Sequence, residues 1–109
     1  MATVQPRVQV PGSVAKDAIF QIRTLISHPM ETGLRRDDTG QVIPRKIINK
    51  ITCSFNGAPV FSADLREAVA ANPYLAFNMR ASESGRLQFD WEEDGGAVFT
   101  LETQLVVYT

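Results

Sequence analysis

Cysteine and histidine occur once each, as Cys53 and His28. A single cysteine closes no intrachain disulfide and forms no CxxC pair, so disulfide scaffolds and zinc ribbons are excluded. No second histidine exists, and the neighbouring carboxylates Glu31, Asp37 and Asp38 have no metal-ligand spacing. A basic excess is also missing: 11 Lys and Arg against 12 Asp and Glu give a net charge of −1 and a pI near 5.7, which removes nucleic acid as the main partner. The composition, 44% hydrophobic and 21% charged, suggests neither disorder nor a membrane span. P-loops, dinucleotide fingerprints, nucleophile elbows and paired-carboxylate hydrolase sites are absent, and no metal or cofactor is implied. The opening MATVQPRVQV has no basic region leading into an apolar run and no small-residue cleavage site. No secretory signal is expected from it, which read alone favours the cytoplasm.

What is present is alternation. Val8 and Val10 form a short strand bounded by Pro6 and Pro11, expected at a sheet edge because proline donates no ladder hydrogen bond. Gly12–Asp17 reads as a turn. In Ala18–Ile26, Phe20, Ile22, Thr24 and Ile26 share one face. Ile47, Asn49, Ile51, Cys53 and Phe55 alternate with Ile48, Lys50, Thr52 and Ser54, and Asn56-Gly57 then supplies the positive φ angles of a tight hairpin into a strand at Pro59–Ala63. Asp64–Ala71 is the one helix-like piece, stopped by Asn72-Pro73 and expected to form a turn or two. Leu75, Phe77 and Met79 line another strand. After a turn at Glu83-Ser84-Gly85, Leu87, Phe89 and Trp91 form an apolar stripe that places Trp91 in the core. Glu93-Asp94-Gly95-Gly96 makes a further hairpin turn, and Ala97, Phe99, Leu101, Thr103, Leu105 and Val107 run up one face of the last strand.

Short alternating strands punctuated by turns specify an all-β fold, an antiparallel β-sandwich with at most one short helical turn. No repeat or linker divides the chain, so residues 1–109 form one domain. A domain of this size buries roughly two-thirds of its unfolded surface and needs no metal or disulfide to hold a core.

Ser27–Ile48 is the exception to the regular pattern. It holds Pro29, Gly33, Gly40 and Pro44, the pair Arg35-Arg36 and the only histidine. Connections between elements usually run about 4 to 6 residues, and much longer ones tend to be functional. This loop is therefore the expected contact region. Met30, Leu34, Val42 and Ile43 are its apolar candidates, with Glu31, Arg35, Arg36 and Arg45 as a polar rim. Ile48 and Val60, on outward faces by the same phasing, would extend the apolar surface.

His28 is read as a partner contact or a loop-fixing hydrogen bond rather than a base, since no nucleophile can be identified beside it. Cys53 shares the phase of Ile51 and Phe55 and should be an inert core thiol. Two other functions stay open: a thiol-dependent carrier or enzyme using Cys53 with His28, and a free-standing sandwich module that binds a small ligand through the loop.

The segment IRTLISHPMETGLRRDDTGQVIPRKIINKITCSFNG, then VFSADL, AANPYLAF and FDWEEDGGAVFT, closely resembles the SoxZ family over nearly the whole chain and in the same order. SoxZ is a subunit of the SoxYZ sulfur-carrier complex of thiosulfate oxidation. The resemblance implies an immunoglobulin-like sandwich that is not an enzyme. It also implies a heterodimer with SoxY, which carries sulfur intermediates covalently on a cysteine in a glycine-rich C-terminal arm, and transient contact with other Sox enzymes. This chain ends LETQLVVYT, without such an arm, and so matches the Z subunit. The resemblance further implies a periplasmic location through co-export with a SoxY that bears the signal, which reverses the cytoplasmic expectation.

Overall fold

A computed structural model describes residues 4–65 and 73–109. The strands are β1 (Gln5–Gln9), β2 (Val14–Ala15), β3 (Ile19–Ser27), β4 (Ile48–Phe55), β5 (Ala58–Asp64), β6 (Tyr74–Arg80), β7 (Gly85–Glu93), β8 (Val98–Leu105) and β9 (Val107–Tyr108). They build an antiparallel three-stranded sheet, β1-β3-β6, and an antiparallel four-stranded sheet, β5-β4-β7-β8. These orders give the expected sandwich, with β1 at an edge. A parallel pair of β2 with β9 forms where a simple turn was expected: Val14 lies opposite Val107, and Val14 N–H donates to the Val106 carbonyl at 2.9 Å. Two-residue strands of this kind carry no periodicity to read. Of the expected helical turn, residues 66–71 lie outside the described part, while Asp64 closes β5.

Period-two alternation explains the core. Phe20, Ile22, Thr24 and Ile26 of β3 face Ile51, Cys53 and Phe55 of β4 and Leu87, Phe89 and Trp91 of β7. Trp91 is 1% exposed, as its stripe requires. Thr24, the polar member of the β3 face, donates its hydroxyl to the Leu75 carbonyl at 3.0 Å, so its burial leaves no unmet hydrogen bond. Phe61 of β5 and Phe77 of β6 stack with ring centroids 4.2 Å apart and link the two sheets. Asn56 and Gly57 take φ of 50° and 87°, as the hairpin needs, and Asn56 Oδ1 also accepts from Arg86 N–H at 2.9 Å. That side chain occupies the space a β-carbon on Gly85 would need.

One phase is corrected. Ile47 and Ile48 are both buried, whereas Ile48 was expected to face outward. The cause is a bulge: Ile48 lies opposite Glu93 and Lys50 opposite Glu92, so Asn49 is an extra residue on β4. An extra residue resets the two-residue repeat and puts Ile48 on the same inner face as Ile51.

Candidate functional site

The long connection from β3 to β4 doubles back on itself. Its two arms are joined by bridges between Glu31 and Lys46 and between Arg36 and Val42, with Ile43 N–H donating to the Arg35 carbonyl at 2.8 Å. At the tip, Asp37 Oδ1 accepts from Thr39 N–H (2.9 Å), the Thr39 hydroxyl (2.7 Å) and Gln41 N–H (3.0 Å). The Thr39 hydroxyl foremost, with the Gln41 amide, holds the Asp37 carboxyl below its usual pKa. Gly40 adopts φ +84°, and Gly33 adopts φ +86° at a place where an added β-carbon would come within 3.2 Å of the Arg45 β-carbon. Both glycines sit where an L side chain would be strained.

The root of the loop is an ionic anchor. His28 Nε2 lies 2.5 Å from Glu93 Oε2, and the two side chains are 1% and 7% exposed. Met30 N–H donates to His28 Nδ1 at 2.9 Å. An Nδ1 that accepts carries no proton, so Nε2 carries it and donates to the Glu93 carboxylate. Lys46 Nζ stands 3.6 Å from the other oxygen of Glu93. Beside this, Asp94 accepts from Arg45 Nε (2.8 Å), Arg45 Nη2 (3.0 Å), Asn49 Nδ2 (2.9 Å) and Ile47 N–H (3.2 Å). Burial pushes the Asp94 carboxyl upward, but the hydrogen bonds from Arg45, Asn49 and Ile47, with the Arg45 charge, outweigh it and leave the pKa lowered. Met30 takes a positive φ of 45° and turns its sulfur to the Ile48 N–H at 3.3 Å, which closes the entry to the loop against the core.

The eleven residues expected to meet a partner thus separate. Leu34 is 85% exposed and Val42 51% exposed, and Arg35 and Arg36 also lie on the outside of the loop, with Ile43 half-buried. Glu31 pairs with Arg35 at 2.5 Å, an exposed contact worth little to stability. Arg36 donates to the Gly40 carbonyl. Arg45 and Met30 hold the loop root. His28 is buried and fixes the loop, so it offers no contact surface, and Ile48 offers none because of the bulge. Val60 is exposed but lies on edge strand β5 toward the Asn56 turn, the end of β4 opposite the loop.

In the sequence, Glu93 and Asp94 stand out only as turn residues. The signal for Glu93 was present, since it continues the inward series Leu87, Phe89, Trp91 and is an acid in a core position. Nothing local marks Asp94, whose partners are 45 to 49 residues away in sequence.

Cys53 is fully buried, and burial foremost, with the Asp90 charge, pushes its thiol up to about 12. Among the described residues, no group of three His, Cys, Asp or Glu side chains is placed to hold a metal ion, and no helix is long and apolar enough to cross a membrane.

Over residues 8–104 the chain matches the family described as sulphur oxidation protein SoxZ. No curated protein matches it. Among solved structures, it resembles a superoxide reductase (neelaredoxin) from Ignicoccus hospitalis, with TM-score 0.76 and 19% identity over 94% of this chain and 80% of that one. A variant of the same reductase gives 0.75 and 18% over 98% and 82%. At such identity the likeness is one of fold.

Proposed function

The chain belongs to the SoxZ family of sulphur oxidation proteins, a non-catalytic subunit of the Sox system, and from that premise we propose that it is the structural and docking partner of a SoxY-type sulfur carrier. The family match over residues 8–104 carries this reading. In it, the partner's cysteine arm holds the sulfur intermediate, this chain forms a 1:1 pair with the partner, and the pair works in the periplasm after joint export.

Two features of the molecule support a role in binding rather than chemistry. The one thiol is enclosed and holds its proton tightly, which weighs against a carrier or enzyme built on Cys53. The one histidine is committed on both nitrogens, to Glu93 and to Met30. The loop, in contrast, presents Leu34 and Val42 amid Arg35 and Arg36, an apolar centre with a charged rim of the kind interfaces use. Its doubled-back, hydrogen-bonded arms limit the ordering cost of association.

Co-expression with a SoxY-type subunit, followed by affinity capture and size-exclusion chromatography, tests the proposal. The expected result is a 1:1 complex that a Leu34→Ser/Val42→Ser variant of unchanged circular dichroism weakens by about tenfold or more. A complex indifferent to that variant would move the interface off the loop. No complex at all would refute the docking role.

A further inference from the structure

The charges of the two sheets are segregated. Strands β1, β3 and β6 carry Arg7, Arg23 and Arg80 and no acid. Strands β4, β5, β7 and β8 carry five acids (Asp64, Asp90, Glu92, Glu93 and Glu102) against Lys50 and Arg86. In a chain with more acids than bases, one sheet is thus purely cationic. All three arginines lie in the outward, exposed phase of their strands. Arg7 and Arg23 donate to the neutral side chains of Gln5 and Gln21, and among the described residues none of the three arginines makes an ion pair.

Register places them usefully. Arg7 lies opposite Leu25, which lies opposite Tyr74; Arg23 lies between Gln9 and Ala76; Arg80 lies opposite Ile19. Arg7 and Arg23 are therefore diagonal neighbours, roughly 7 to 8 Å apart at Cα. Arg80 stands four residues along β6 from the partner of Arg23, about 13 Å farther along the sheet. Two adjoining hollows that share Gln9 and Arg23 run along β1 and β3, one bounded by Arg7, Leu25 and Tyr74 and the other by Pro11 and Gln21.

We propose that this outer face is a second docking surface, for an extended acidic segment of a partner protein that lies across Arg7, Arg23 and Arg80 and packs on Leu25 and Tyr74. A small anion reaches the first two arginines and leaves the third unused, whereas a row of carboxylates at strand spacing meets all three. Three cations in a chain of net charge −1 suit protein carboxylates rather than a polyphosphate backbone. A second copy of this chain fits less well. Its own acidic sheet already spends Glu102 on Arg86 and Asp90 on Gln88 and Thr100, and such head-to-tail stacking does not close.

The test needs no Sox carrier, so its outcome is independent of the proposed function. A fluorescein-labelled peptide alternating glutamate and threonine, long enough to span the three arginines, is titrated with the full chain and followed by fluorescence anisotropy. Binding at low salt should weaken as salt rises. An Arg7→Gln/Arg23→Gln/Arg80→Gln variant should bind about tenfold weaker or worse, while the charge-matched Lys16→Gln/Lys50→Gln/Arg86→Gln variant stays near the parent. Circular dichroism checks that both variants are folded. Equal losses in the two variants would reduce the effect to net charge and overturn the proposal. Displacement by sulfate beyond that by chloride at equal ionic strength would make it a small-anion site. Self-association of the chain abolished by the first variant would make the occupant a second copy. Absence of binding at low salt would also sink the proposal.

Discussion

Replacing His28 with alanine tests the anchor of the loop most directly. In the folded chain the Glu93 carboxylate, 7% exposed, is met by His28 Nε2 at 2.5 Å and by Lys46 only at 3.6 Å from a side chain that is itself 65% exposed. Truncation removes the close hydrogen-bond donor from a buried carboxylate, a change that typically costs about 1.5 to 3 kcal/mol. It also takes the acceptor from Met30 N–H, worth about 1 kcal/mol. Lys46 recovers part of the first loss, so the expected total is about 2 to 3 kcal/mol. With a urea m-value of about 2 kcal/mol/M, the midpoint should fall by roughly 1 to 1.5 M. Glu93→Gln keeps an acceptor for Nε2 and removes the buried charge, so its cost should be smaller, about 1 to 2 kcal/mol. The double variant His28→Ala/Glu93→Gln should lie well short of the sum of the two, because the same contact is lost in both. Equilibrium unfolding followed by Trp91 fluorescence provides the readout. A His28→Ala loss below about 1 kcal/mol, or strict additivity in the cycle, would refute the view that this pair holds the loop.

Asp94 should leave a mark on the acid side. Its folded-state pKa lies below the ordinary 3.8, so its ionised form contributes stability that is fully present above that value and fades as pH falls through the lower folded value. Asp94→Asn should therefore be less stable than the parent at pH 7, with the gap closing below about pH 3.8; a gap unchanged in thermal melts down to about pH 2.5 would contradict this. Cys53, with its thiol pushed up to about 12, should be almost wholly protonated at pH 8 and closed to reagents. Labelling by a disulfide reagent should proceed only as fast as the chain opens, and burst labelling of the native protein would show that the thiol is accessible.

The regular strands were legible because a half-buried strand has a simple rule: every second residue faces in. That rule placed Phe20, Ile22 and Ile26, Cys53 and Phe55, and Leu87, Phe89 and Trp91, and Asn56-Gly57 declared its own turn. It failed at Ile48, where one inserted residue resets the phase, and at β2 with β9, which are too short to show a phase. The loop was recognisable by its length and its breakers, yet its internal division was not. The sequence leaves His28 open to a partner contact or a loop-fixing hydrogen bond, and the fold, which buries it against Glu93, gives it the second.

Local chemistry alone settled the all-β sandwich, the inward cysteine and tryptophan and the presence of one elaborate loop, since each depends on residues near one another in the chain. Tertiary structure decided which loop residues are spent on holding the loop and which remain outside. His28 meets Glu93 across 65 residues and Arg45 meets Asp94 across 49, and no pattern of neighbours encodes such a meeting. The same holds for the cationic sheet. Arg7, Arg23 and Arg80 are scattered through a sequence with 11 bases and 12 acids, and only the pairing of β1, β3 and β6 gathers them onto one face.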